Sequence, residues 1–166
     1  MAGRLEGVPS PHGRPAPSQS RVSPETQAVS WLLDADVLSQ PAKRRGNRRV
    51  IEWLEQEEAR CHTSTIVVAQ LASWVRTKEG RQRETLQKWL RHLLDAMEGR
   101  VLGFSVAVAH VWAEQQRAVD RAGLRMPLAD SYIAATARRH DLTIVTGNDR
   151  DFRRPGVKVF NPFEIE

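Results

Sequence analysis

Asp34 and Asp36 close an apolar run, "WLLDAD". Asp130 follows Pro127 at the start of a second apolar stretch, and Asn148, Asp149 and Asp151 follow a third, "LTIVTG". Carboxylates brought together repel one another, and only a proton or a cation between them relieves the repulsion. All-oxygen donors of this kind select hard ions such as Mg²⁺ or Mn²⁺. Such an ion lowers the pKa of a bound water, orients it and neutralises charge building on a phosphoryl group. In a basic surround, that chemistry is phosphodiester hydrolysis, with no Ser, Cys or Tyr nucleophile required. Each acid also has a plainer reading. Asp34 and Asp36 suit a turn or a cap, Asp130 suits the positive end of a helix, and Asp149 and Asp151 suit an ordinary turn.

For distant acids to meet, the chain must fold so that strand ends share an edge. "VSWLLDA" is a short apolar run and reads as a buried strand. Residues 47–59 carry Val50, Ile51, Trp53 and Leu54 at near-helical spacing. Cys61–Thr63 reads as a short strand, and Ser64 or Thr65 as the cap of a helix striped by Ile66, Val67, Leu71 and Trp74. Residues 83–97 form an amphipathic helix with Leu86, Trp89, Leu90, Leu93 and Leu94 expected to face the core. "RVLGF" is a weak strand, and Ser105 opens a helix ending near Gly123. The chain is helical again after Pro127, extended over Leu142–Val145, and closes on a short strand in "GVKVFNPF". Strands alternating with helices predict a parallel sheet covered by helices. Strand ends in a doubly wound sheet of this type gather at one edge. Residues 1–28 are rich in Pro, Gly and Ser with isolated apolar residues, and are expected to form a disordered tail. Residues 29–166 are expected to form one domain.

Composition removes several classes. Cys61 is the only cysteine, so neither an intrachain disulfide nor a cysteine zinc cluster is available. The five histidines are scattered without an HExxH pair, and there is neither a GxGxxG nor a P-loop sequence. No apolar run is long enough to span a membrane. The first residues lack the apolar segment of a secretory signal, so a cytoplasmic location is expected. The formal charge of +5, from 25 Lys and Arg against 20 Asp and Glu, permits a nucleic-acid or an acidic protein partner.

Four segments in order, "LLDADVLSQ", "TSTIVVAQLASWV", "MPLADSYIAATARRHDLTIVTGNDRDF" and "GVKVFNPF", resemble the PIN-domain family, most closely the VapC-type ribonuclease toxins of bacterial toxin–antitoxin pairs. The resemblance covers about residues 30–166. It implies a three-layer α/β/α sandwich with a central, mostly parallel sheet. It also implies a pocket for Mg²⁺ or Mn²⁺, an RNA substrate cut by a metal-activated water, and a homodimer. A cognate antitoxin would block the toxin and reach promoter DNA through its own domain, so contact with promoter DNA is only indirect. Carried over by position, the site comprises Asp34, Gln70, Asp130 and Asp151. Asp34, Asp130 and Asp151 would be the metal ligands, with Asp36, Thr146 and Asn148 supporting the pocket.

The chain departs from the family pattern at several places. Gln70 stands where the family has Glu, so one negative charge is missing, and metal affinity and activity should fall. The alternative this opens is a catalytically weakened module that sequesters antitoxin or RNA. Asp36 stands where the family often has Asn, and "TGN" replaces "TRN", which removes a basic residue for phosphate contact. Arg44, Arg45 and Arg48, in a basic run with Lys43 and Arg49, are candidate RNA contacts. A second basic group, Arg76, Lys78, Arg81 and Arg83, reads as solvated helix ends or as further contact surface. The tryptophans at 31, 53, 74, 89 and 112 read as core or interface, with a groove for an antitoxin helix as one form of the interface reading.

Overall fold

A computed structural model describes residues 29–165, and the tail expected over 1–28 lies outside the described residues. Five strands make the sheet: β1 (Trp31–Leu33), β2 (Cys61–Ser64), β3 (Val101–Leu102), β4 (Thr143–Val145) and β5 (Val159–Phe160). Their order is β3-β2-β1-β4-β5, and every pairing is parallel. Parallel neighbours need crossover connections, and the helices supply them. These are α1 (Ala35–Leu38), α2 (Arg48–Glu57), α3 (Thr65–Arg76), α4 (Gly80–Ala96), α5 (Val106–Arg121), α6 (Leu128–Arg139) and α7 (Asp149–Phe152).

The chain first steps outward from β1 to β2 and β3, then returns past β1 to β4 and β5. Right-handed crossovers in opposite directions put helices on both faces of the sheet, which gives the expected α/β/α sandwich. The reversal falls between β1 and β4, and the crevice at their carboxyl ends is where such folds bind ligands.

The strands are short and apolar because both faces are covered. Leu32, Leu33, Ile144 and Val145 are buried with Val37, Val50, Val67, Leu71, Ile133 and Phe152 in one core. Ser64 caps α3 through its hydroxyl, which accepts from the Val67 amide at 3.2 Å, and Ser105 caps α5 in the same way. Of the two residues the sequence offered as the α3 cap, Ser64 takes the role and Thr65 is the first helical residue, while Ser105 opens α5 as expected.

Three expectations need correction. The helix expected from 83 starts at Gly80, and of its five apolar residues only Leu86 is buried. Trp89, Leu90 and Leu93 nevertheless pack half-buried against the core as expected, and Leu94 is half-buried beside them. The acids at 34 and 36, read as turn or cap residues, and those at 149 and 151, read as turn residues, belong to two four-residue helices at 35–38 and 149–152, with Asp34 capping the first. Finally, Trp31, Trp53 and Trp89 pack against the core as expected, but Trp74 and Trp112 stand apart from it. Trp112 donates its indole N–H to Ser131 Oγ at 2.8 Å, beside Tyr132.

Candidate functional site

The site is built at the switch between β1 and β4. β1 ends at Leu33, and the next amide, Asp34 N–H, donates to Val145 O at 3.0 Å, so the backbone stays paired to β4 one residue beyond the strand. The Asp34 side chain is thereby held at the sheet edge, 8% exposed. It caps α1, with Oδ1 accepting from the Ala35 amide at 2.7 Å and Oδ2 accepting from the Thr146 hydroxyl at 2.9 Å. Thr146 Oγ1 also accepts from the Asn148 amide at 3.0 Å, and Asn148 Nδ2 donates to Asp151 Oδ2 at 2.7 Å. A continuous hydrogen-bonded chain, Asp34–Thr146–Asn148–Asp151, therefore crosses from β1 to the first turn of α7.

Asp130 sits in the first turn of α6, half-buried. Its carboxyl is raised above the usual carboxylate range, first by desolvation and then by the negative charge of Asp151. Asp34 is pushed up to about 6, chiefly by burial, then by repulsion from Asp36, with a smaller contribution from Asp130 that its two hydrogen bonds partly offset. These mutual repulsions are the physical sign that residues remote in sequence share one field.

Asp36 reaches the same edge from α1. Its Oδ2 accepts from the Gly147 amide at 2.8 Å, while its Oδ1 is buried without a partner. Burial raises its pKa, and the Gly147 and Val37 amides and the charge of Lys43 work against that rise. The glycine of "TGN" has a structural cause. A Cβ at position 147 would lie 2.9 Å from Asp36 Oδ2 and 2.9 Å from the ring of Phe163, so no larger residue fits there as the site stands.

Gln70 forms no side-chain hydrogen bond to these acids. It lies half-buried on α3, a helix packed against both α1 and α6, and its Oε1 is buried with no donor. Of the candidate RNA contacts, Arg48 is tied to Glu52 in an exposed i,i+4 pair, Arg45 is exposed, and Arg44 lines a surface groove. Sequence reasoning missed the role of the Gly147 amide, for which the only signal was a small residue between two polar ones after a strand.

Among the described residues no three His, Cys, Asp or Glu side chains converge closely enough to hold a metal ion by themselves. A hard cation that keeps several waters needs only one or two protein carboxylates. The donors at this edge are all oxygen, Asp34 is already stripped of water, and Asp36 Oδ1 and Gln70 Oε1 lack partners. That set fits such an ion.

Comparison with known proteins adds the following. Residues 31–158 match the family model of the PIN domain. The chain is 35% identical over 137 residues to the toxin FitB of Neisseria gonorrhoeae, covering 80% of this chain and 97% of FitB. It is 30% identical over 136 residues to the VapC ribonuclease Y4jK of Sinorhizobium fredii, covering 80% of this chain and 97% of that protein. The solved structure of FitAB bound to an IR36 DNA fragment superposes with a TM-score of 0.77 at 32% identity, over 82% of this chain and 97% of that one.

Proposed function

This chain belongs to the PIN-domain family, among the VapC-type toxins, and from that premise we propose that it is a metal-dependent endoribonuclease acting as the toxin of a toxin–antitoxin pair. The observation that carries the reading is the buried Asp34 carboxylate, linked through Thr146 and Asn148 to Asp151 and placed in the field of Asp130. Of Asp34, Asp130 and Asp151, one or two would hold a Mg²⁺ or Mn²⁺ directly and the rest through waters the ion keeps, and the ion when bound supplies an acidified water and neutralises charge on the phosphoryl group.

The protein's own contribution is positioning and electrostatics. Thr146 fixes the Asp34 rotamer by donating to Oδ2, and the Ala35 amide fixes the other oxygen. Asn148 orients Asp151 through its amide group. The proposal brings with it an RNA substrate, a neutralising antitoxin, a homodimer and a cytoplasmic setting.

The test is cleavage of structured RNA with Mg²⁺ or Mn²⁺ by the parent and by Asp34→Asn. Products from the parent alone support the reading, and identical product bands from both reject it.

The orphaned Oε1 of Gln70 favours a second reading, a weakened enzyme that mainly binds antitoxin or RNA. A carboxamide adds no negative charge to a site that must hold a cation. Gln70→Glu should then raise cleavage markedly. An unchanged rate and unchanged metal affinity would reject that reading.

A further inference from the structure

Away from the acids, a groove of about 570 Å³ lies between the turn that follows α1 and the junction of α3 with α4. It is lined by Lys43, Arg44, Lys78 and Arg81, with Trp74 in its wall and no acidic residue among its lining. None of these four cations forms a salt bridge among the described residues. Unpaired charges of one sign set side by side repel, and a polyanion relieves that repulsion.

Three features show a defined surface. The loop bearing Lys43 and Arg44 is pinned by the buried side chain of Gln40. Gln40 Nε2 donates to Asp36 O at 2.7 Å, and Oε1 accepts from the Asn47 amide at 2.9 Å. Trp74 is braced edge-on by Trp89, with centroids 6.2 Å apart at 88°, so its plane is fixed. Lys78 Nζ stands over the Trp74 ring, 5.7 Å from its centre, so a base stacking on that face displaces the ammonium toward the flanking phosphates. Trp74 follows Gln70 by one turn on the same face of α3, and Lys43 reaches back toward Asp36 O. The groove thus abuts the candidate catalytic edge on two of its elements.

We infer that this groove is a nucleotide-binding subsite for single-stranded RNA, in which Lys43, Arg44, Lys78 and Arg81 hold phosphates and Trp74 stacks on an unpaired base. The subsite rests on the nuclease reading for its place in the reaction. A fixed aromatic plane among cations matches the way single strands are held, by charge along the backbone and stacking against bases. A base already stacked in a helix cannot offer its face to Trp74, so duplex RNA is the poorer ligand.

The experiment measures binding of a fluorescein-labelled 12-nucleotide single-stranded RNA and of a hairpin of matched length to the full chain carrying Asp34→Asn, by anisotropy across a salt series. Arg44→Gln with Arg81→Gln should weaken single-strand binding roughly tenfold and lower the salt slope by about 1.4. Trp74→Leu should weaken it roughly tenfold with the slope unchanged, whereas Trp74→Phe keeps most of the affinity. Because Trp74 braces Trp89, circular dichroism melts accompany each variant, and the arginine pair, both exposed, tests the subsite without touching that packing.

Parental binding by the arginine double variant, or equal affinity for hairpin and single strand with Trp74→Leu silent, overturns the proposal. So does loss of binding to polyglutamate with RNA binding intact, which would make the groove a protein-docking surface. Loss of RNA binding in these variants, with no Asp34-dependent cleavage by the parent, would keep the subsite and sink the nuclease reading.

Discussion

The two sides of the acidic edge are built differently. On the sheet side, Asp34 is buried, both of its oxygens are engaged, and the donors come from backbone and side chains that strand pairing holds in place. On the helix side, Asp130 is half-buried in a first turn, and Gln70 presents an oxygen with no donor. One half is rigid and already satisfied, while the other is left to be completed by a ligand. Preorganised groups lose little on binding, whereas unpaired buried ones gain the most from it. The sheet side should therefore set whether the site works, and the helix side how tightly it binds.

Asp34→Asn offers the sharpest way to break this contrast. Cleavage should fall on the order of 10²–10³-fold, read by single-turnover assay. The same change should stabilise the metal-free protein at pH 7.5. The folded pKa is raised from 3.8 to about 6, so the folded state binds more protons than the unfolded one between those values. Stability from this group is therefore full below pH 4 and is lost as pH rises through 6, a difference of about 3 kcal/mol. Net of one altered hydrogen bond, Asn should recover about 1–2 kcal/mol at pH 7.5 and none at pH 4. A metal-free melting temperature that does not move would refute the burial argument.

Thr146→Val comes next. It keeps the volume but leaves Asp34 Oδ2 and the Asn148 amide unpaired. Metal affinity should drop by about tenfold or more, and stability by about 1–3 kcal/mol, measured by calorimetry and chemical denaturation. Gln70→Glu tests the opposite side. Divalent affinity should rise by about tenfold with little change in the melting temperature of the metal-free protein at pH 5. An unchanged affinity would show that Gln70 faces away from the ion. The smallest effect expected is on pH dependence. Protons compete with metal at Asp34, so divalent affinity should increase as pH rises from 5 to 7 and then level off.

What could be read from the sequence divides along a similar line. The strand ends at Asp34 and Thr146, the caps at Ser64 and Ser105, and Asp130 in a first helical turn all follow from apolar runs and their punctuation, because those signals are local. The helices at 35–38 and 149–152 escaped because four residues are too few to show a 3.6-residue period. The reach of Asp36 to the Gly147 amide joins positions 111 residues apart, and no local rule predicts such a bond. Trp74 was assigned to core or interface by its place in an apolar stripe. Only the approach of the loop at 43 and 44 shows that this stripe ends in a charged groove.

The close quarters at Gly147 carry a consequence for anyone redesigning this edge. Positions 36, 147 and 163 act as a single genetic unit: a side chain at 147 becomes tolerable only once the Phe163 ring has shrunk and the carboxylate at 36 has given way. Single-site libraries scanned at 147 will score every replacement as damaging. The permitted combinations will surface only in triple libraries, where the cost of each change depends on the other two.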